Sequence, residues 1–107
     1  MKSDLREGSL EVMLDKKEIS LLREGKLEGE VRIKFLKVDY FRPFEISVSE
    51  ELKLEIYHEI DSYNISRINL NISPDQHEEL RLQNRIITTY DEYHIQIYRE
   101  RFKKSKY

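Results

Sequence analysis

Four charged residues alternate along one short stretch, where Glu28, Glu30, Arg32 and Lys34 stand two positions apart. In an extended strand that spacing puts all four on one face. Clustered carboxylates there could hold a hard divalent cation, and the adjacent cations could meet a phosphate. The competing use is a solvated strand face whose charges pair with neighbouring strands. That use is the expectation here, so Glu28 and Glu30 are the sole metal candidates, and no catalytic residue, metal site or cofactor is assigned. Three histidines, His58, His77 and His94, complete the stock of ligating nitrogens. His58-Glu59 and His77-Glu78-Glu79 set ligand types side by side, but neither has the His-Glu-x-x-His spacing that aligns two imidazoles on a helix face. The histidines read as packing or surface residues.

Charge and aromatics supply two further candidate sites. Residues 99–107 carry Arg99, Arg101, Lys103, Lys104 and Lys106 against Glu100 alone, a net charge of +4. The remaining body, with 14 basic and 20 acidic residues, is −6. The basic segment, interleaved with aromatics, could meet nucleic-acid phosphates or an acidic partner surface; its last residues, 103–107, read as a frayed tail. Tyr40, Phe41 and Phe44 surround Pro43, and Tyr90 and Tyr93 flank a turn; these five are the candidate interface aromatics.

Composition bounds the rest. A chain of 107 residues and 13.0 kDa fits one domain over 1–107. Cysteine is absent, which excludes disulfides and thiolate chemistry. No apolar run approaches the roughly 20 residues that span a bilayer. The start, MKSDLREGSL, lacks the apolar core of a signal peptide. A cytoplasmic protein without membrane contact is expected.

The elements that must position these groups follow from periodicity. Leu10, Val12 and Leu14 alternate as a strand. Asp15 and Glu18 then have capping-box spacing, which predicts a helix over 16–24 with Gly25 as its left-handed exit. Period two returns over 26–38, and 40–48 continues as a strand that, given Pro43, lies at a sheet edge or starts late. Residues 49–61 carry both strand alternation (Leu52, Leu54, Ile56) and helical spacing (Leu52, Ile56, Ile60), with strand preferred. A turn over 61–64 and a strand over 67–72 lead to Ser73-Pro74-Asp75-Gln76. This is a second capping box with proline at the first helical position, opening a helix to about Asn84. A closing hairpin spans 86–90 and 93–102.

An offset of 58 residues lays LEVMLDKKEISLL over INLNISPDQHEEL, matching Leu10 with Ile68, Asp15 with Ser73, Glu18 with Gln76 and Leu22 with Leu80. The expected fold is therefore α+β, a mainly antiparallel sheet or small barrel of about six to seven strands with two short helices. The element order is βαβββ(β)αββ, with a possible internal pseudo-repeat.

Three resemblances attach to these segments. LREGSLEVMLDKKEISLLREGKLEGE resembles the opening of a small family of uncharacterised bacterial domains, which implies a bacterial domain and no mechanism. SRINLNISPDQHEELRLQNRIITTYDEYHIQIYRE resembles the strand–Pro–helix–hairpin unit of AbrB-type swapped-hairpin DNA-binding proteins, in which two units intertwine. The family's Gly-Asp after the helix is replaced by Asn84-Arg85, and only Arg67 is basic on the leading strand. Glu28-x-Glu30-x-Arg32 resembles the Glu-x-Glu-x-Lys strand of tunnel-type triphosphate enzymes. The sequence as a whole points to a non-enzymatic binding module that associates with a protein partner or with its own copy. A nucleic-acid-binding protein using the basic C-terminal segment, and a metal- and phosphate-dependent enzyme centred on Glu28 and Glu30, are the alternatives.

Overall fold

Period-two patterning carries most of the chain into strands, and two capped turns of helix interrupt it. The computed structural model describes residues 1–35 and 37–101, with Phe35 described by its backbone alone. The elements are β1 (Lys2–Arg6), β2 (Ser9–Leu14), α1 (Lys16–Leu21), β3 (Lys26–Phe35), β4 (Val38–Val48), β5 (Lys53–His58), β6 (Ile65–Ile72), α2 (Pro74–Gln83), β7 (Arg85–Tyr90) and β8 (Tyr93–Arg99).

All eight strands form one sheet in the order β5-β6-β4-β3-β1-β2-β8-β7, curled into a half-barrel. This corrects the expectation of a mainly antiparallel sheet of six to seven strands. The hairpins β1–β2, β3–β4, β5–β6 and β7–β8 are antiparallel, but β1–β3, β2–β8 and β4–β6 pair in parallel. Each helix carries the chain away from the strand it leaves, so sequence neighbours β2 and β3, like β6 and β7, are not sheet neighbours. β1 escapes a periodicity search because its inward positions are Ser3 and Leu5. Ser3 is buried and satisfied, its Oγ donating to the Glu30 carbonyl at 2.9 Å.

Two further expectations are corrected locally. The helix over 16–24 is α1 followed by a tighter 3-10 turn over Leu22–Glu24, and Gly25 leaves it at φ 165°, which is extended backbone. β4 lies inside the sheet, not at its edge. β6 joins it only along Phe44–Val48, so Pro43 sits in the stretch of β4 that precedes this pairing. Residues 49–61 contain the strand β5, and Asn84, at φ 65°, makes the left-handed exit from α2.

The sheet is built from two interlocked runs of strand–strand–helix–strand–strand. β4 of the first run pairs in parallel with β6 of the second, and β8 of the second with β2 of the first. From β2 and β6 through the helix starts, residues 58 apart hold matching places: Leu10 pairs with Ile95 as Ile68 pairs with Phe44. Both capping boxes form, Asp15 with Glu18 and Ser73 with Gln76. The helices plug one end of the curl with Ile19, Leu22, His77 and Leu80, all buried against the inward side chains of the strands. His77, only 6% exposed, stands at Ile19's counterpart, and its Nε2 lies 2.8 Å from the Ile19 carbonyl. A carbonyl only accepts, so Nε2 carries the proton and ties α2 to α1 across the two runs.

Candidate association surface

Closure of the curl would need β5 and β7 to meet, and they do not. Among the described residues, β5 pairs only with β6 and β7 only with β8. The side of β7 that faces the gap can be read from its ladder. Arg99 N–H donates to the Asn84 carbonyl at 2.9 Å, just beyond the pair Arg85–Tyr98. Bonded and non-bonded pairs alternate in an antiparallel ladder, so Ile86, Thr88 and Tyr90 bond to β8. The N–H and C=O groups of Arg85, Ile87 and Thr89 therefore point away from β8, into the gap. Side chains of these same residues face the convex surface, because Ile86 points into the core. Ile87 is 56% exposed.

The register also gives each β7 residue a counterpart in β3. Phe44 pairs with Gly29 and its counterpart Ile95 with Thr88, so Lys26, Glu28 and Glu30 correspond to Arg85, Ile87 and Thr89. The charged residues singled out by spacing thus occupy the convex face at the place where the second run carries isoleucine and threonine. Glu28 lies directly opposite Glu45, and Lys26 Nζ bridges them at 3.4 and 3.2 Å. Hydrogen bonding to Glu45 first, and to Glu28 next, raises the Lys26 pKa above its ordinary value. Arg32 pairs with Asp4 at 2.7 Å, and that contact raises the guanidinium pKa. Glu28, Glu45 and Asp4 are thus engaged by cations on an outer face, and no group of three or more His, Asp or Glu that could hold a metal ion occurs among the described residues.

β5 presents a differently defended edge. Lys53 and Glu55 alternate along its outer face, 4.0 Å apart, and the ladder shifts register between Tyr57 and His58. Tyr57 donates its phenol to Glu55 at 2.8 Å, which raises the phenol pKa. Charge and a bulge are the usual devices that keep a strand edge from accepting another strand. β7, from Ile86 to Tyr90, has neither.

The other candidate residues disperse. Phe44, 2% exposed, belongs to the core, whereas Phe41 stands on the convex face. Tyr40 points inward and is pinned: its hydroxyl accepts from Ile65 N–H at 3.3 Å, and the Arg42 guanidinium lies 4.7 Å from its ring. Tyr90 and Tyr93 pack partly against the core beside the β7–β8 turn. Tyr40, Tyr63 and Tyr93 line, with Leu5, Ile33 and Ile65, a hollow of about 480 Å³. It lies at the end of the curl opposite the helices. Arg99 and Arg101 border a hollow shared with Asp15 and Glu100, while Lys103, Lys104 and Lys106 lie outside the described residues. His58 and His94 are exposed, and His77 is structural.

Sequence reasoning did not single out Arg85, Ile87 and Thr89. The available signal was the run Ile86–Tyr90, which contains no charge, proline or glycine. No helix among the described residues is long and apolar enough to cross a membrane. No protein-family model, curated protein or solved structure matches the chain.

Proposed function

We propose that this chain is a small binding module of the cytoplasm that acts by association, with a protein partner or with its own copy, and not by catalysis. One observation carries the reading: the sheet ends in two strands, β5 and β7, that have no outer neighbour among the described residues. An edge of that kind offers a row of backbone donors and acceptors to an added strand. The charged convex residues support the same reading, because Lys26, Glu28, Glu45, Arg32 and Asp4 are already joined in ion pairs.

Sedimentation velocity across a concentration series, run beside capture from the source cell with stoichiometric mass spectrometry, tests the proposal. The expected result is a species heavier than the 13.0 kDa monomer, formed with itself or with one protein in fixed ratio. A monomer at every concentration, with no stoichiometric protein captured, would sink it. Recovery of nucleic acid that is released by salt and lost with residues 99–107 would transfer the function to the basic segment.

A further inference from the structure

We infer that β7 is the self-association edge, and that two copies join through it as an antiparallel, two-fold pair centred on Ile87. The inference rests on the association reading and names its surface and its occupant. Arg85, Ile87 and Thr89 point their N–H and C=O groups into the gap, as the ladder with β8 requires. They are the residues that an added antiparallel strand would bond.

A second copy fits this edge by charge and by symmetry. With Ile87 on the two-fold axis, Ile87 faces Ile87 and each Arg85 faces the other copy's Thr89. No like charges are opposed, and the two Arg85 residues stand roughly 14 Å apart, four residues of strand rise, where salt screens them. The central pair places two half-exposed isoleucines together on the convex surface, a favourable cross-strand contact. The other arrangements are poorer. β5 on β5 in the register centred on Glu55 sets Glu55 against itself, and the register centred on Leu54, which pairs Lys53 with Glu55, must still seat the shifted ladder at Tyr57 and His58. β7 on β5 is a head-to-tail contact that must seat β7 against the charged edge where the ladder shifts register, and it leaves a free edge at each end of any assembly whose rotation does not form a ring. A two-fold β7 pair consumes the undefended edge and leaves only the charged, bulged β5 edges outermost.

Sedimentation velocity and amide exchange on the full chain, over a concentration series, test this together. The wild type is expected to shift with concentration from 13.0 kDa to twice that mass, in the micromolar range suited to a small interface. Exchange of the Arg85, Ile87 and Thr89 amides should slow by about tenfold or more as the dimer fills, because each gains an acceptor. Ile86, Thr88 and Tyr90 are bonded to β8 already and should not change. Ile87→Glu, which introduces the residue type of the counterpart Glu28, should weaken dimerisation by at least about thirtyfold through like-charge opposition on the axis. Thr89→Pro removes one edge donor without touching the ladder to β8 and should weaken it too, whereas Tyr57→Glu on β5 should leave it unchanged. Dimerisation insensitive to Ile87→Glu and Thr89→Pro, or dimerisation without odd-residue amide protection, would overturn the β7 assignment while leaving the association reading intact. A wild-type chain that stays monomeric throughout would also overturn it, and capture of a partner protein then decides the wider reading separately.

Discussion

The two runs of the chain share strand order and pairing, differ in how their helices end, and part most where their second hairpins turn. β3 is ten residues long and β7 is six. β7 stops at Tyr90, the counterpart of Val31, and Val31 is where β1 begins to pair with β3. β1 and β5 are themselves counterparts, since Ser3 pairs with Val12 and Leu54 with Leu70. Hence Asp4 corresponds to Glu55, and β5 already carries the acid that β1 offers to Arg32. The second hairpin is thus short at the place where the closing pair of the first run forms, while β5 keeps the acid that this pair uses. Composition then decides the fate of each edge: the charged triplet Lys26, Glu28 and Glu30 in the first run stands where Arg85, Ile87 and Thr89 stand in the second.

The largest test asks whether the runs share one core equally. Leu22 and Leu80 are counterparts, 1% and 0% exposed, each plugging the same end of the curl. Leu22→Ala and Leu80→Ala should each cost about 2–5 kcal/mol in denaturant unfolding, the usual loss for a buried leucine. A cost from one that is less than half the other would break the equivalence and identify the run on which the fold depends more.

His77 is the core position where the runs differ most in chemistry. His77→Ile restores the first run's residue but leaves the Ile19 carbonyl without the donor that it has now at 2.8 Å. The expected cost is about 1–3 kcal/mol, the penalty for an orphaned buried polar group. His77→Gln keeps an amide donor and should recover part of it. An isoleucine variant as stable as the wild type would show that symmetry, and not the hydrogen bond, governs this contact.

Length can be exchanged directly. Replacing Asp91-Glu92 with residues 32–41 gives the second hairpin the extent of the first, because Val31 matches Tyr90 and Arg42 matches Tyr93. The transplanted Arg32 should then face Glu55 across a new parallel pair, as it faces Asp4 now. Net stability should change by no more than about 1 kcal/mol, since a few cross-strand pairs offset the added chain. Slowed amide exchange in β5 is the deciding measurement, and its absence would show that more than hairpin length holds the curl open.

These comparisons mark what the sequence discloses and what it hides. Both helix starts are legible because a capping box joins residues only three apart. In the sequence, Tyr40, Phe41 and Phe44 form one aromatic cluster around Pro43. Strand alternation sends Phe41 to the convex face, Tyr40 inward and Phe44 into the core. β1 was hidden by its inward serine, and the parallel pairings by their dependence on residues far apart in the chain. The β7 edge was hidden for the same reason. Arg-Ile-Ile-Thr-Thr-Tyr has the composition of any strand, and only the position of every other strand makes it an edge.

The smallest test concerns the row of residues beside that edge. Glu28 and Glu45 of the first run lie side by side with Asn69 of the second across β3, β4 and β6, with Lys26 and Arg67 reaching Glu45 at 3.2 and 3.9 Å. The matching row sets Ile87 and Gln96 of the second run beside Glu11 of the first, across β7, β8 and β2. Isoleucine offers its neighbour no side-chain acceptor, and Gln96 Nε2 is buried without a hydrogen-bond partner among the described residues. Gln96→Met keeps the length of the side chain and deletes the orphan donor, so unfolding stability should hold or rise by up to about 1 kcal/mol. A loss larger than that would mean that the amide is held as Glu45 is held, and that the second row shares the polar character of the first. A gain would place the apolar surface that Ile87 begins one strand further into the sheet, and in the Gln96→Met background the β7 dimer should then tighten, measurable as a lower midpoint concentration in the same sedimentation series.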